Sequence, residues 1–201
     1  MELADFQAFT SASRFQKYST VNEYIAAVGR ASQIQQMLHW VEIGYRNHIY
    51  DGIQATSSCQ HPCSSWLTCK CSVPPVFLNP NSVARVERAK RFLSHSDREN
   101  PNVIIPGLSF GFWVRLLSSS NEATIWTPGL YKSFPRKTSR SELHDLLRRM
   151  NQIRNRIAHL EPVDRFPLSQ ISTDSLSLIH LIAPKLDDFM NEEFRRIRSL
   201  I

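Results

Sequence analysis

Apolar residues recur at three- and four-residue intervals through most of the chain and almost nowhere alternate one by one. Ile34, Met37, Leu38, Val41, Tyr45 and Ile49 keep the helical period and predict a helix over about residues 32–54. Ahead of it, Tyr24, Ile25 and Val28 predict a separate helix, opened by Thr20 with Glu23 three positions on, the spacing of a capping box. A third stripe, Leu143, Leu146, Leu147, Met150, Ile153 and Ile157, predicts a helix capped by Ser141 and halted by Pro162 soon after His159. Between these, Asn81 or Ser82 starts a helix ending near His95, residues 100–106 read as an extended connector, and residues 110–117 as a short apolar helix. Residues 126–135 read as irregular. A last helix over about residues 173–199 is expected to kink at Pro184. No strand pattern stands out, so the expectation is an all-α bundle, one domain over residues 1–201. Residues 55–80, rich in Cys, Pro and Ser, read as a loop inserted into it, and residues 164–201 as a C-terminal helical extension.

Hydrophobic residues make up 42% of the 201, enough apolar material for a packed core. The longest candidate for a membrane span, residues 103–114, is too short and is broken by Pro106, Gly107 and Gly111. The opening residues MELADFQAF are acidic and lack the features of a secretory signal, so a cytoplasmic location away from membranes is expected. None of the six glycines falls in a G-x-G-x-x-G or G-x-x-x-x-G-K pattern, which argues against a nucleotide-binding α/β fold.

The formal charge of +6 is spread unevenly. Residues 1–60 carry four basic against five acidic side chains, residues 61–140 eleven against four, and residues 141–201 nine against nine. The middle segment therefore holds the whole excess. Lys132, Arg136, Lys137, Arg140, Arg148 and Arg149 form its densest run and its continuation. Such a run attracts polyanions by neutralising phosphates and releasing counterions, which makes these six candidates for RNA contacts. The alternative is a solvated helix face.

The candidate chemistry lies at Arg154-Asn155-Arg156-Ile157-Ala158-His159. Five residues turn a helix through about 500°, so Arg154 and His159 sit about 140° apart while helical, and Asn155 shares the face of His159. Pro162 ends the helix there and lets the histidine swing from the axis. An imidazole titrates near neutrality and suits general acid–base work, and a guanidinium stabilises charge on phosphorus. RNA places a 2′-hydroxyl beside each phosphodiester. Deprotonating it would yield a 2′,3′-cyclic phosphate and a 5′-hydroxyl, with no metal or cofactor required. The plain alternative is a histidine that only caps a helix.

The same decapeptide, Arg154 to Val163, resembles the Arg-Asn-Arg-Ile-Ala-His-His-Glu-Pro-Ile signature of the Abi-like (abortive infection, AbiD/AbiF type) proteins of the HEPN superfamily. Residues 38–47, LHWVEIGYRN, are similar to that family's Leu-Glu-x-x-Leu-Arg-Asn helix, and residues 108–117, LSFGFWVRLL, to its Leu-Thr-Phe-Gly-Phe-Trp block. Trp126, Leu130, Phe134 and Pro135 follow its Leu-Trp…Leu…Phe-Pro spacing, in the same order along the chain. The resemblance implies a HEPN-type helical bundle that works as a homodimer. It also implies a metal-independent endoribonuclease serving as a toxin or in antiviral defence, restrained by an antitoxin protein, a small RNA or a nucleotide modification. By position, Arg154 and His159 would be catalytic with Asn155 beside them, and Glu42, Arg46, Asn47, Arg156 and Glu161 would support them. Leu160 stands where the family usually has a second histidine. That departure motivates the alternative of a non-catalytic RNA-binding or protein-interaction module.

Cys59, His61, Cys63, Cys69 and Cys71 fall within thirteen residues and supply five candidate ligands for one structural zinc. Their C-x3-C and C-x-C spacings are not the usual pairs. The alternative is a surface loop bearing reduced thiols.

Overall fold

A computed structural model describes residues 3–10, 15, 17–56, 65–69 and 78–200, and among them there are helices and turns but no strand. The all-α expectation therefore holds. The helices are α1 (Leu3–Thr10), α2 (Val21–Thr56), α3 (Pro80–Lys90), α4 (Pro101–Gly107), α5 (Phe110–Leu116), α6 (Arg140–Ala158), α7 (Leu168–Ile182) and α8 (Asp187–Arg198). The chain forms two compact units, Met1–Val41 with Gln152–Ile201, and Glu42–Asn151.

In the first unit the capping box at the start of α2 is real. The Glu23 N–H donates to Thr20 Oγ1 at 3.1 Å, and Glu23 Oε2 accepts from the Ser19 N–H at 2.7 Å. The two helices expected over residues 21–54 are one. Ala27, Ile34, Met37, Leu38 and Val41 form a single buried stripe, whereas Ile25 and Val28 face solvent. Those two exposed residues made the first stretch look out of phase with the second. Phe6, Phe15, Tyr18 and Tyr24 pack ring against ring where α1 and the following turn meet α2. The long C-terminal helix expected over residues 173–199 is two, α7 and α8, separated by a 3₁₀ turn at Pro184–Leu186. Proline lacks the N–H that a continuing helix would need. Buried Gln33 donates to the Ile197 and Arg198 carbonyls at 2.8 and 3.2 Å, and so closes the open carboxyl end of α8.

In the second unit, residues 101–107 are helical where an extended connector was expected over residues 100–106. Asn100 caps α4 by accepting from the Asn102 N–H at 3.0 Å, and Pro101 is preset for a first turn, so the two together start a helix. The stretch α3 is shorter than expected, closing at Lys90. Helix α6 begins two residues early, with Ser139 rather than Ser141 accepting from the Glu142 N–H. Phe110, Phe112 and Trp113 are buried in the core, as their apolar run predicts; each such ring contributes about 1.5–3 kcal/mol.

Within the loop expected over residues 55–80, Ser65, Trp66 and Leu67 are buried rather than at the surface. Trp66 Nε1–H donates to the Tyr50 carbonyl at 3.2 Å, and the ring meets Trp113 edge-on. The end of α2 lies hard against the segment that follows residue 128. A Cβ on Gly52 would approach Ser133 Oγ to 2.7 Å, and one on Gly129 would come within 2.4 Å of Thr56 Cβ. The second contact involves atoms fixed to the helix backbone and cannot be relieved by a side-chain rotation.

Gly129→Ala is accordingly expected to lower stability by about 1–3 kcal/mol. Gly107→Ala, where the new carbon would meet Ala89 Cβ at an ordinary 3.6 Å, should fall within about 0.5 kcal/mol of the parent. Urea unfolding of the two variants measures both; equal losses would contradict the close approach of Gly129 to Thr56.

Candidate functional site

Helix α6 ends in a turn of defined hydrogen bonding. The His159 N–H donates to the Asn155 carbonyl at 3.0 Å, Leu160 N–H to Ile157 at 2.9 Å, and Glu161 N–H to Arg156 at 2.8 Å. The last two are the paired bonds of a Schellman motif, with His159 at the C-cap and Leu160 at the position after it. Leu160 has φ 56°, in the left-handed region that glycine normally fills there. The side chain at that position costs about 1–2 kcal/mol. Arg156 secures the turn from the other side: its Nε and Nη2 donate to the Pro162 carbonyl at 3.3 and 3.2 Å, and its Nη1 pairs with Glu161 at 3.0 Å. Arg156 and Glu161 thus brace the backbone. His159 and Asn155 are exposed, and Arg154, just over one helical turn before His159, is half-buried. Both groups of the expected pair stay outside the hydrophobic core.

Beside this turn, in the same unit, lies a cavity of about 530 Å³ lined by Lys17, Tyr18, Glu23, Arg30, Arg156 and Asp164, among others. Asp164 accepts from Tyr18 Oη at 3.0 Å and from Arg30 Nη2 at 2.6 Å. Burial pushes the Asp164 carboxyl up, but the hydrogen bonds from Arg30 and Tyr18 outweigh it and hold the group below its ordinary value. Tyr18 is pushed up to about 12 by burial and by the Asp164 carboxylate. Sequence reading missed this cluster because Lys17, Arg30 and Asp164 are far apart along the chain and no charge run marks them. A smaller apolar groove of about 280 Å³ adjoins it, with Tyr24, Val28, Ile157, Leu160 and Val163 in its walls.

Glu42, Arg46 and Asn47 belong to the second unit, on α2; the first two are half-buried and Asn47 is exposed. Their neighbour His48 touches Phe134 edge-on at 4.6 Å, and burial lowers its pKa. The six basic residues of the candidate RNA surface divide four ways. Lys132, Arg136 and Lys137 line one cavity of about 580 Å³. Arg148 lines another of about 450 Å³ with Arg115, Ser118, His144 and Asn151, and Arg149 is exposed on α6. Arg140 is turned inward instead: its Nη1 donates to the Leu117 carbonyl at 2.7 Å, its Nη2 pairs with Glu122 at 3.0 Å, and its side chain is 12% exposed. Arg140 ties the start of α6 to the chain after α5 and presents little charge to solvent. His144 and Arg115, unmarked in the sequence, complete the second cavity; burial lowers the His144 pKa against the pull of Asp145.

Of the five candidate zinc ligands only Cys69 is described, and it is half-buried. Cys59, His61, Cys63 and Cys71 lie outside the described residues.

Two outcomes follow from the turn and the cluster beside it. Leu160→Gly should stabilise the chain by up to about 1 kcal/mol by removing the left-handed strain, and Leu160→Val should destabilise it by at least as much; thermal unfolding of both decides. Because the Asp164 pKa is depressed on folding, its ion pair contributes above the ordinary carboxylate range and is lost as the pH falls through the depressed value. Asp164→Asn should therefore flatten the acid limb of the stability profile, cost no more than about 1 kcal/mol at neutrality for so exposed a pair, and let Tyr18 ionise below 12 in an ultraviolet titration. An unchanged tyrosine titration would contradict the contact.

Compared with known proteins, the chain matches no family model, no curated protein and no solved structure.

Proposed function

We propose that the chain is a metal-independent endoribonuclease that cuts RNA through the 2′-hydroxyl, with Arg154 and His159 as its reacting pair and a homodimer as its working form. The observation that carries the reading is the turn after α6. A strained residue, Leu160, and a buttress from Arg156 present an exposed imidazole just over one turn from a half-buried guanidinium, on a chain whose ordered blocks resemble the Abi-like proteins.

In this reading His159 removes the proton from a ribose 2′-hydroxyl. The 2′ oxygen attacks the adjacent phosphorus, and the bond from phosphorus to the 5′ oxygen breaks. The departing oxygen takes a proton, supplied by the imidazolium of a second copy or by water. Arg154 stabilises the extra negative charge on the five-coordinate phosphorus. The products are a 2′,3′-cyclic phosphate and a 5′-hydroxyl. Asn155, on the same face as His159, would orient the ribose. Lys17 and Arg165 offer cations for flanking phosphates. The exposed apolar side chains Val28 and Leu160, close to the histidine, support a second copy covering that face. A toxin or antiviral role and a restraining antitoxin follow from the resemblance alone.

A second reading is favoured by Leu160: without a neighbouring histidine the module binds RNA and does not cut it. It requires salt-sensitive RNA binding with intact RNA as the outcome.

Purified parent chain should cleave single-stranded RNA, and His159→Ala should cut at least about 100-fold more slowly. Arg154→Ala should lose a comparable factor. His159 is exposed, so matching circular dichroism and melting curves are expected for parent and variant. Equal cleavage by parent and His159→Ala rejects the assignment; intact RNA with retained binding selects the second reading.

A further inference from the structure

Three basic residues that the proposed cleavage does not use line an aromatic cavity in the second unit. Its volume is about 580 Å³, within the range of small-molecule sites. Trp126 and Phe134 form its floor, with centroids 5.4 Å apart and planes inclined by 32°. Both rings are nearly fully buried, and Phe134 is backed by Tyr45, stacked at 6.5 Å, and by the edge of His48. The floor is therefore held by the core. Tyr131, 47% exposed, stands at the rim.

Three cations, Lys132, Arg136 and Lys137, complete the wall, and among the described lining residues none is acidic. Lys132 Nζ lies 5.9 Å from the centre of the Tyr131 ring. Lys137 has φ 71° at the third position of the turn closed by the Thr138 N–H and the Pro135 carbonyl, 3.1 Å apart. Glycine or asparagine is usual at that position. A lysine held there at a cost in strain is the kind of outlier that accompanies a site rather than a spacer loop.

Flat rings beside unopposed cations match one ligand chemistry: a planar heteroaromatic base carrying a phosphate. A free anion would leave the rings unused, and an apolar ligand would leave the cations unused. A base inside a duplex offers no face to Tyr131. We infer that this cavity binds a single nucleotide unit, its base against Tyr131 and its phosphate among Lys132, Arg136 and Lys137, either as a free mononucleotide or as an unpaired residue of single-stranded RNA. The inference extends the nucleic-acid half of the reading above and is independent of the chemistry assigned to His159.

The test is calorimetric titration of the full chain with uridine 5′-monophosphate, uridine, inorganic phosphate, polyglutamate and a five-residue 2′-O-methyl oligouridylate, which cannot be cut through its 2′ oxygen. Saturable binding of the mononucleotide or the oligonucleotide with Kd below about 1 mM is expected. Uridine, phosphate and polyglutamate should each bind at least about tenfold more weakly. Tyr131→Ala should weaken nucleotide binding about tenfold and Tyr131→Phe should restore it. Arg136→Ala with Lys137→Ala should weaken the nucleotide but not uridine. If the oligonucleotide binds and the mononucleotide does not, the source is RNA; if both bind equally, it is the free nucleotide. Absence of saturation by either, equal binding by Tyr131→Ala, or equal binding of phosphate or polyglutamate overturns the inference. A chain that binds the nucleotide yet cuts no RNA leaves this site standing and removes the ribonuclease reading; one that cuts RNA yet binds neither probe does the reverse.

Discussion

Leu160 takes a left-handed conformation so that helix α6 can stop at His159 and the chain can turn toward Pro162 and Asp164. The whole candidate site depends on that stop. His159 still donates its N–H to the Asn155 carbonyl, so its backbone remains on the helical path and the chain departs only at Leu160. If the end frayed, nothing would hold the imidazole in place. The two Schellman hydrogen bonds and the fork of Arg156 onto Pro162 and Glu161 fix the exit instead. Arg156, within the same Arg-Asn-Arg stretch as Arg154, thereby braces the turn.

Electrostatics divides the cations of the chain by task. Arg140 is drawn inward to the Leu117 carbonyl and Glu122, Arg30 to Asp164, and Arg156 to the turn. Lys132, Arg136 and Lys137 line one cavity in which no described lining residue is acidic. A cation paired with a carboxylate on its own chain contributes little attraction for a polyanion, so a count of charges along the segment overstates its available positive charge.

The all-α class and most helices were legible, because a stripe at the helical period survives whatever else a segment does. The failures are local and physical. Ile25 and Val28 are apolar yet solvent-facing, and they disguised the continuity of α2. Asn100 and Pro101 are cap and first-turn residues, and the helix they open is too short to show a periodic stripe. The burial of Trp66 and Leu67 depends on partners at Tyr50, Gln54 and Trp113, distant in sequence and invisible to any local pattern. At the site, the histidine, the arginine and the stopping proline could be read directly. The left-handed Leu160 could not, because leucine there breaks the rule that would have announced the turn. The Asp164 cluster assembles from separate segments, and only the fold brings its residues together; the ring-floored cavity is lined by residues 126–138, a stretch whose irregular pattern gives no sign of a hollow.

The central claim is that the ribose oxygen is the nucleophile. It is tested most directly with a short RNA cut at one known bond by the purified chain, compared with the same strand carrying a single 2′-deoxy residue just 5′ of that bond, and with mass analysis of the ends. The account predicts a 2′,3′-cyclic phosphate and a 5′-hydroxyl from the first strand and no cut at that bond in the second. Cleavage of the deoxy strand at the same bond, or 5′-phosphate ends from either strand, would contradict it.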